Sequence, residues 1–221
     1  RSSAASDVYK RQVHETNIAH LRYEADLLAD EITQQVNQRI TALELLSSAM
    51  GSANETSWLS YELQKNDALL SWFDGLIVSD EYGEIVADWP SVVGRVGLDT
   101  AELEYFKMVR GTRRPYVSEP FIGRASGAPM VLMIVPRLDE ERRFAGFVAG
   151  MVSLDRSGLF NRLTTIRLGD HGFAAVSTAS GKILYHPDYE LVNAEISHAQ
   201  RNALLDLALD GWQGEGGSEL A

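Results

Sequence analysis

The chain of 221 residues contains no cysteine, which excludes disulfide bonds, thiolate zinc sites, iron–sulfur clusters and cysteine nucleophiles. Positive charge is scarce, because 20 lysines and arginines stand against 31 aspartates and glutamates, a net charge of -11. A surface of that sign repels phosphate, so nucleic-acid binding and attachment to anionic membrane surfaces are not expected. No stretch approaches the roughly 20 consecutive apolar residues that cross a bilayer. Membrane contact is therefore expected only through spans absent from this chain.

Patterns of catalytic and metal-binding residues are also missing. The five histidines form no H-E-x-x-H pair, and the sequence has no G-x-S-x-G turn around a nucleophilic serine. Gly94 and Gly97 are three residues apart, but the lysine of a phosphate-binding loop does not follow them. We therefore expect no catalytic residue, no metal site and no cofactor, and we predict that the chain is not an enzyme.

The hydrophobic content of 45% is sufficient for a packed core, and the first element predicted around it is one long helix. Residues 1–12 show no apolar period and are set apart as a non-native or linker segment. Residues 13–50 contain no glycine or proline, and Gly51 offers a C-cap. The apolar positions are Ile18, Leu21, Ala25, Leu28, Ile32, Val36, Ile40, Leu43, Leu46 and Met50. A helix of about 50 Å would run along more than one module, pair with a second helix, or both. An amphipathic helix packed on its own domain is the alternative.

A mixture of short helices and strands follows this helix. The predicted helices are Trp58–Phe73, Asp99–Gly111, with Asp99 or Thr100 as N-cap, and one near Ser197–Leu209. The predicted strands are Tyr116–Glu119, Met130–Pro136 and Phe144–Leu154, after a hairpin over 76–87. The hairpin residues Val78-Ser79-x-x-x-Gly83-Glu84-Ile85-Val86 recur 98 positions later as Val176-Ser177-x-x-x-Gly181-Lys182-Ile183-Leu184. This repeat predicts two tandem modules of roughly 100 residues, the second one incomplete.

Several motifs in a fixed order resemble a known family. They are D99-TAELEYF-K107, RRPYVSEPF, PMVLMIVP, FAGFVAGMVSL and L168-GDHGFAAVSTASGKILYHP. They resemble the extracytoplasmic double-Cache sensor domains of bacterial transmembrane receptors. The resemblance implies an α+β fold, with a long N-terminal helix at 13–50 and two tandem PAS-like antiparallel-sheet modules. These are a membrane-distal module at 51–160 and a truncated membrane-proximal module at 161–221.

The resemblance also implies a setting in the cell. The domain would face the periplasm from the inner membrane, bind a small molecule in the distal module, and relay a conformational change to a cytoplasmic output domain. That output would be a histidine kinase, a GGDEF-type diguanylate cyclase or a chemoreceptor signalling domain. We expect a homodimer formed through the long helix. The alternative is a structural or dimerisation module without a ligand.

The resemblance places the ligand between the Tyr-Phe helix and the sheet, where eight residues are candidates. These are Tyr105, Phe106, Arg110, Arg114, Tyr116, Ser118, Met133 and Met151. The amino-acid-sensing branch carries an Arg, a Trp and two Asp as anchors, whereas this chain has Leu103, Tyr105, Ser118 and Met151 at those places. We therefore predict that the ligand is not an α-amino acid. A pocket filled by Met130, Met133 and Met151 would favour the ligand-free alternative.

Overall fold

The structure is a computed structural model, and it describes residues 2–123, 126–155, 158–166, 172–196, 203–211 and 213–214. The chain divides into two compact units. The first, called the sheet unit, comprises Gln35–Phe160. The second, called the terminal unit, comprises Arg1–Gln34 together with Asn161–Ala221.

Helix α1 extends over Ser2–Met50, so it begins eleven residues before the predicted start at position 13. Residues 2–12 are helical because neither glycine nor proline interrupts the chain before Gly51. Gly51 ends the helix as predicted. Its φ angle is +54°, and its N–H donates to the Ser47 carbonyl at 2.9 Å.

The sheet unit contains one antiparallel sheet with the strand order β2-β1-β6-β5-β3, and a short strand β4 pairs with β5. The strands are β1 (Gly75–Ser79), β2 (Ile85–Trp89), β3 (Tyr116–Val117), β4 (Phe121–Ile122), β5 (Pro129–Leu138) and β6 (Phe144–Ser153). Helix α2 covers Thr56–Lys65 and packs against β2, and a 3-10 turn follows at Asp67–Ser71. The two longest strands, β5 and β6, are buried almost throughout, which explains their continuous apolar sequences.

Helix α3 covers Glu104–Thr112 and begins later than predicted. The predicted caps serve the preceding loop. The Asp99 carboxylate accepts the Ala101 N–H at 2.8 Å, and the buried Thr100 hydroxyl donates to the Gly83 carbonyl at 2.6 Å. The N-cap position is occupied by Leu103, which provides no side-chain cap. Asp99 therefore stabilises the loop itself, and Thr100 connects the loop to the β1–β2 hairpin.

A buried arginine connects the end of α1 to the sheet. Arg137 on β5 is fully buried, and its guanidinium donates to the carbonyls of Gly51, Ala53 and Ser79. Burial lowers the pKa of Arg137 to about 10, while the negative charge of Asp80 opposes that shift. Three carbonyl oxygens thus compensate the buried cation.

The terminal unit repeats the backbone frame of the β1–β2 hairpin. Its described residues include β7 (Val176–Ser177), β8 (Ile183–Tyr185), 3-10 turns at Leu163–Thr165 and Tyr189–Leu191, and α4 (Ala203–Leu209). The predicted helix start at 197–202 lies outside the described residues. The matched hydrogen bonds are Ile85 N–H to Leu98 O and Ile183 N–H to Ala194 O, then Gly97 N–H to Ile85 O and Asn193 N–H to Ile183 O. The predicted internal repeat is therefore a repeat of structure as well as of sequence.

Candidate functional site

The strand register determines which residues share the face of the sheet under α3, called here the α3 face. Asp88 on β2 pairs with Ile77, Ile77 pairs with Ala149, Ala149 with Ile134, and Ile134 with Tyr116. Residues opposite one another in an antiparallel pair project to the same side. Ile77, Ala149 and Ile134 belong to the apolar cluster that contains α3 residues. The row therefore extends across the whole α3 face, with Asp88 at one edge and Tyr116 at the other.

The next row on the α3 face is less completely covered. Gly75 pairs with Met151, and Met151 pairs with Leu132. Met151 is 8% exposed, Leu132 4% and the neighbouring Ile77 5%, whereas Ala149 and Ile134 are completely buried. All of these residues are buried, and Met151 is the least completely covered of them. We call the corner of the α3 face at Gly75, Ile77, Leu132 and Met151 the cleft.

A charged pair borders the cleft. The Asp88 side chain is 2% exposed and the Arg95 side chain 17%. Asp88 Oδ2 accepts the Val92 N–H at 2.7 Å and Arg95 Nη1 at 3.3 Å, and Arg95 Nη1 also donates to the Pro90 carbonyl at 3.3 Å. Because both hydrogen bonds to Asp88 fall on Oδ2, the carboxylate ties the loop after β2 through one oxygen.

Arg95 and Met151 meet above Gly75. A Cβ atom placed on Gly75 would lie 2.5 Å from Met151 Cε, 3.7 Å from Arg95 Nη1 and 3.4 Å from the Trp89 carbonyl oxygen. The methionine tip and the guanidinium therefore lie within a few ångströms of the same point. Since a guanidinium carries five N–H donors, Arg95 can bind a carboxylate in addition to its present partners.

Of the predicted aromatic residues, Phe106 belongs to the core. It is fully buried, and its ring contacts those of Phe144 and Phe147 edge to face, with centroids 5.7 and 6.3 Å apart. Tyr105 is half-buried and contacts Phe147 in the same way at 6.0 Å. Burial raises the pKa of Tyr105 to about 12, against a smaller opposing effect of its hydrogen bond with Thr100.

The two predicted arginines lie in the last turn of α3 and just after this helix. Arg110 is exposed, and its guanidinium carbon lies 5.9 Å from the centre of the Phe106 ring, a cation–π distance. Arg114 is also exposed, and its backbone N–H bonds the Thr112 hydroxyl. The guanidinium next to Gly75 on the α3 face is that of Arg95.

The remaining polar candidates, Tyr116 and Ser118, are engaged by their own neighbours. Burial, followed by the negative charges of Glu104 and Glu119, raises the pKa of Tyr116. The buried Ser118 hydroxyl accepts the Leu132 N–H at 2.9 Å and donates to the Glu119 carbonyl at 2.9 Å. Ser118 thus extends the pairing of β3 with β5.

The sheet separates the two predicted methionines. Met151 lies on the α3 face, whereas Met133 pairs with Gly150 and Val117 one position out of phase with Leu132 and Ile134. Met133 is fully buried and faces the opposite side of the sheet. The structure therefore brings Met151, but not Met133, to the cleft.

Asp88, Arg95 and Gly75 were missing from the sequence-based set of candidates. Two features of the sequence could have indicated the charged pair. Asp88 is an aspartate inside an otherwise apolar hairpin strand, and Arg95 follows it seven residues later, between two glycines. Because a buried carboxylate requires a partner, a basic residue near Asp88 could have been predicted from the sequence.

A concavity of about 580 Å³ lies at the end of the sheet unit where the β1–β2 and β5–β6 turns are found. Its lining residues are Ser52, Asn54, Glu81, Asp139, Glu140, Glu141, Arg143, Phe144 and Ala145. Arg143 bonds Asp139 at 2.7 Å and Glu141 at 3.0 Å.

Among the residues that the structure describes, no group of three or more His, Asp or Glu side chains could hold a metal ion. Within the same residues, no helix is long and apolar enough to cross a membrane.

Two curated relatives place the sequence among signalling proteins. The chain is 29% identical over 133 residues to the methyl-accepting chemotaxis protein PscA of Pseudomonas syringae pv. tomato, which covers 59% of this chain and 19% of PscA. It is 22% identical over 152 residues to sporulation kinase D of Bacillus subtilis, covering 67% of this chain and 29% of the kinase. The chain thus spans less than a third of either relative.

Solved structures with the same fold are ligand-binding domains. The domain of the Pseudomonas fluorescens chemoreceptor CtaA in complex with L-isoleucine matches with a TM-score of 0.71 and 25% identity, covering 85% of this chain and 76% of that one. Its complex with L-alanine gives 0.68 and 26%, covering 81% and 76%. The Pseudomonas aeruginosa chemoreceptor PctC domain with GABA gives 0.65 and 22%, covering 82% and 81%. These neighbours confirm the predicted α+β fold class.

The prediction that the ligand is not an α-amino acid is wrong. It conflicts with the similar CtaA domain, which is seen with L-alanine and L-isoleucine. The prediction considered charged contacts to the ligand only at positions such as Leu103, Ser118 and Met151. The structure instead places the charged pair of Asp88 and Arg95 on β2 and the loop after it.

The family model described as Cache domain, dCache_1, matches residues 5–220, which is almost the whole chain. The predicted family, sensing function and role in signal transduction are confirmed by this match together with the relatives and the solved neighbours. The chain therefore belongs to the Cache-domain family of sensor domains.

Proposed function

We propose that the chain is the periplasm-facing, non-enzymatic sensor of a bacterial inner-membrane receptor, and that its cleft binds a small amino acid or a related zwitterion. The charged pair of Asp88 and Arg95 carries this proposal. A zwitterion needs one anionic and one cationic partner, because an unpaired charge in a poorly hydrated cleft costs several kcal/mol.

The two side chains are suited to the two ends of such a ligand. Arg95 offers N–H donors to a carboxylate above Gly75, and Asp88 offers the oxygen Oδ1 to an ammonium group. In this arrangement the ligand joins the existing pair without separating it. The complex of the similar CtaA domain with L-isoleucine supports the same ligand class.

Signal transfer in this proposal begins where ligand binding favours one arrangement of the loop after β2 over another. The change passes along the sheet to the end of α1, which Arg137 and the hydrogen bond from Ser47 to the Pro136 carbonyl, 2.9 Å long, connect to β5. The output would be the kinase, cyclase or chemoreceptor signalling part of a longer protein.

The predicted homodimer through the long helix is part of this proposal. Leu45 on this helix is exposed, so it is a suitable position to probe pairing.

A calorimetric titration with a panel of L-amino acids tests the proposed ligand class. We expect at least one to bind, and Arg95→Gln to weaken that binding at least tenfold, because hydrogen bonds to charged groups are worth about 1.5–3 kcal/mol. Arg114→Gln is the matched control, since it removes the same charge from an exposed position. Equal affinities of the native chain and Arg95→Gln would contradict the proposal.

A ligand-free structural module is the second candidate, because Met130 and Met151 lie on the α3 face. Each methionine tip rests near a glycine, Met151 Cε near Gly75 and Met130 Sδ near Gly123. The same titration decides between the candidates. Binding by no compound in the panel, at a concentration where a similar domain is saturated, would favour the structural module.

A further inference from the structure

We propose that Met151 determines ligand size in the cleft, favouring small amino acids over large ones. This inference rests on the proposed function. Met151 Cε lies in the space that a side chain at position 75 would fill, next to Arg95 Nη1. A ligand held by Arg95 must therefore place its own side chain against the methionine tip or displace it.

The position of the tip depends on Gly75. A Cβ at that position would lie 2.5 Å from Met151 Cε, closer than real contacts allow, so a larger residue would push the tip away. Gly75 and Met151 are register partners on adjacent strands. Because Gly75 on β1 has no side chain, the long side chain of Met151 on β6 can lie over it and form part of the floor of the cleft.

Methionine can serve as an adjustable boundary. Its unbranched thioether has three rotatable bonds and fills irregular gaps, so it can change rotamer at a lower cost than a branched or aromatic residue. Ile77 and Leu132 flank the tip and are almost fully buried, which leaves Met151 the most exposed of the three.

The expected selectivity follows from packing. A methyl or hydroxymethyl side chain fits beside the tip, whereas a branched butyl side chain must displace it. One methylene group more or less in an apolar pocket corresponds to about 10–200-fold in discrimination, and the L-isoleucine side chain is larger than that of L-alanine by three carbons. Shortening Met151 to alanine removes three heavy atoms and should therefore change the ratio of affinities by at least tenfold.

The experiment measures dissociation constants for L-alanine and L-isoleucine by calorimetry on the native chain and on Met151→Ala. We expect the native chain to favour L-alanine and the variant to shift the ratio of the two constants at least tenfold toward L-isoleucine. The matched control is Met133→Ala. It removes the same atoms from the opposite face and should leave the ratio within twofold.

A second variant keeps the inference testable if Met151→Ala does not fold. Gly75→Ala should push the tip of Met151 into the cleft and weaken L-isoleucine binding more than L-alanine binding. We expect the ratio of the two dissociation constants to change at least fivefold toward L-alanine. A ratio unchanged within twofold in the folded variants, with Arg95-dependent binding intact, would overturn the role of Met151 alone. If the native chain binds neither amino acid, and Arg95→Gln changes nothing, the proposed function fails and this inference fails with it.

Discussion

The two faces of the sheet differ in what their glycines contact. On the α3 face, the open position at Gly75 is filled by the flexible tip of Met151, beside the charged pair. On the opposite face, the open position at Gly150 is filled by the rigid ring of Phe73, whose nearest carbon would lie 2.3 Å from a Cβ there. The same device, a glycine facing a large side chain, thus produces an adjustable surface on one side and a fixed one on the other.

This difference shows how one sheet can combine stability with binding. The opposite face includes the fully buried Arg137 and Met133, and it connects to the end of α1 through Arg137. The α3 face retains slight exposure at Met151 and a carboxylate–guanidinium pair at its edge. We therefore expect substitutions on the opposite face to alter unfolding free energy, and substitutions at the cleft to alter ligand affinity.

The largest expected effect is that of Arg137→Met. Methionine replaces the apolar stem, but the carbonyls of Gly51, Ala53 and Ser79 lose their donor. Each buried acceptor left unpaired costs about 1–3 kcal/mol, so we expect a loss of about 3–5 kcal/mol in unfolding free energy. Urea denaturation followed by circular dichroism measures it. Arg114→Met is the exposed control, and a loss within 1 kcal/mol of that control would contradict the prediction.

The paired glycine substitutions test the comparison most directly. Gly150→Ala forces the Phe73 ring to move within a packed face, at a cost of about 2–3 kcal/mol. Gly75→Ala displaces only the end of a methionine, at a cost of less than about 1 kcal/mol. Urea midpoints at unchanged slope provide both values. Equal costs for the two variants would show that the faces are equally rigid.

Asp88→Asn should change binding more than stability. The amide oxygen still accepts the Val92 N–H, but the negative charge next to Arg95 is lost. We expect amino acid affinity to fall about tenfold, because the ligand ammonium loses a charged partner. Asp74→Asn is the control, since Asp74 likewise accepts a backbone N–H, from Ser153 at 2.7 Å, and is exposed. A similar loss of affinity in both variants would remove Asp88 from the site.

Apolar patterns and turn residues predicted most of the fold. The apolar sequences of 130–136 and 144–154 and the turn at 80–83 gave strands β5, β6, β1 and β2, because a core strand is specified by local composition. The start of α3 was misplaced, since Asp99 and Thr100 satisfy local capping rules but bond within the loop and to Gly83. Only the tertiary partner distinguishes the two outcomes.

The candidate site was less predictable, for two physical reasons. Because every β5 residue from 129 to 135 is buried, alternation of polarity could not show that Met133 and Met151 project to opposite faces. Asp88 and Arg95 are joined by a loop, and their burial depends on the register of β2 with β1. Composition shows neither of these relationships, whereas strand pairing shows both.

The smallest expected effect is that of Tyr116→Phe, at the edge of the α3 face opposite Asp88. Tyr116 lies on the same row as Asp88, but four strand spacings separate β2 from β3, which corresponds to about 19 Å across the sheet. A small amino acid held by Arg95 cannot span that distance. Tyr116→Phe should therefore leave the dissociation constant within twofold of native, measured by the same calorimetry with Arg95→Gln as the positive control. A tenfold loss would instead place the ligand at the β3 edge, near the residues first proposed from sequence, and the charged pair would then serve only to hold the loop after β2.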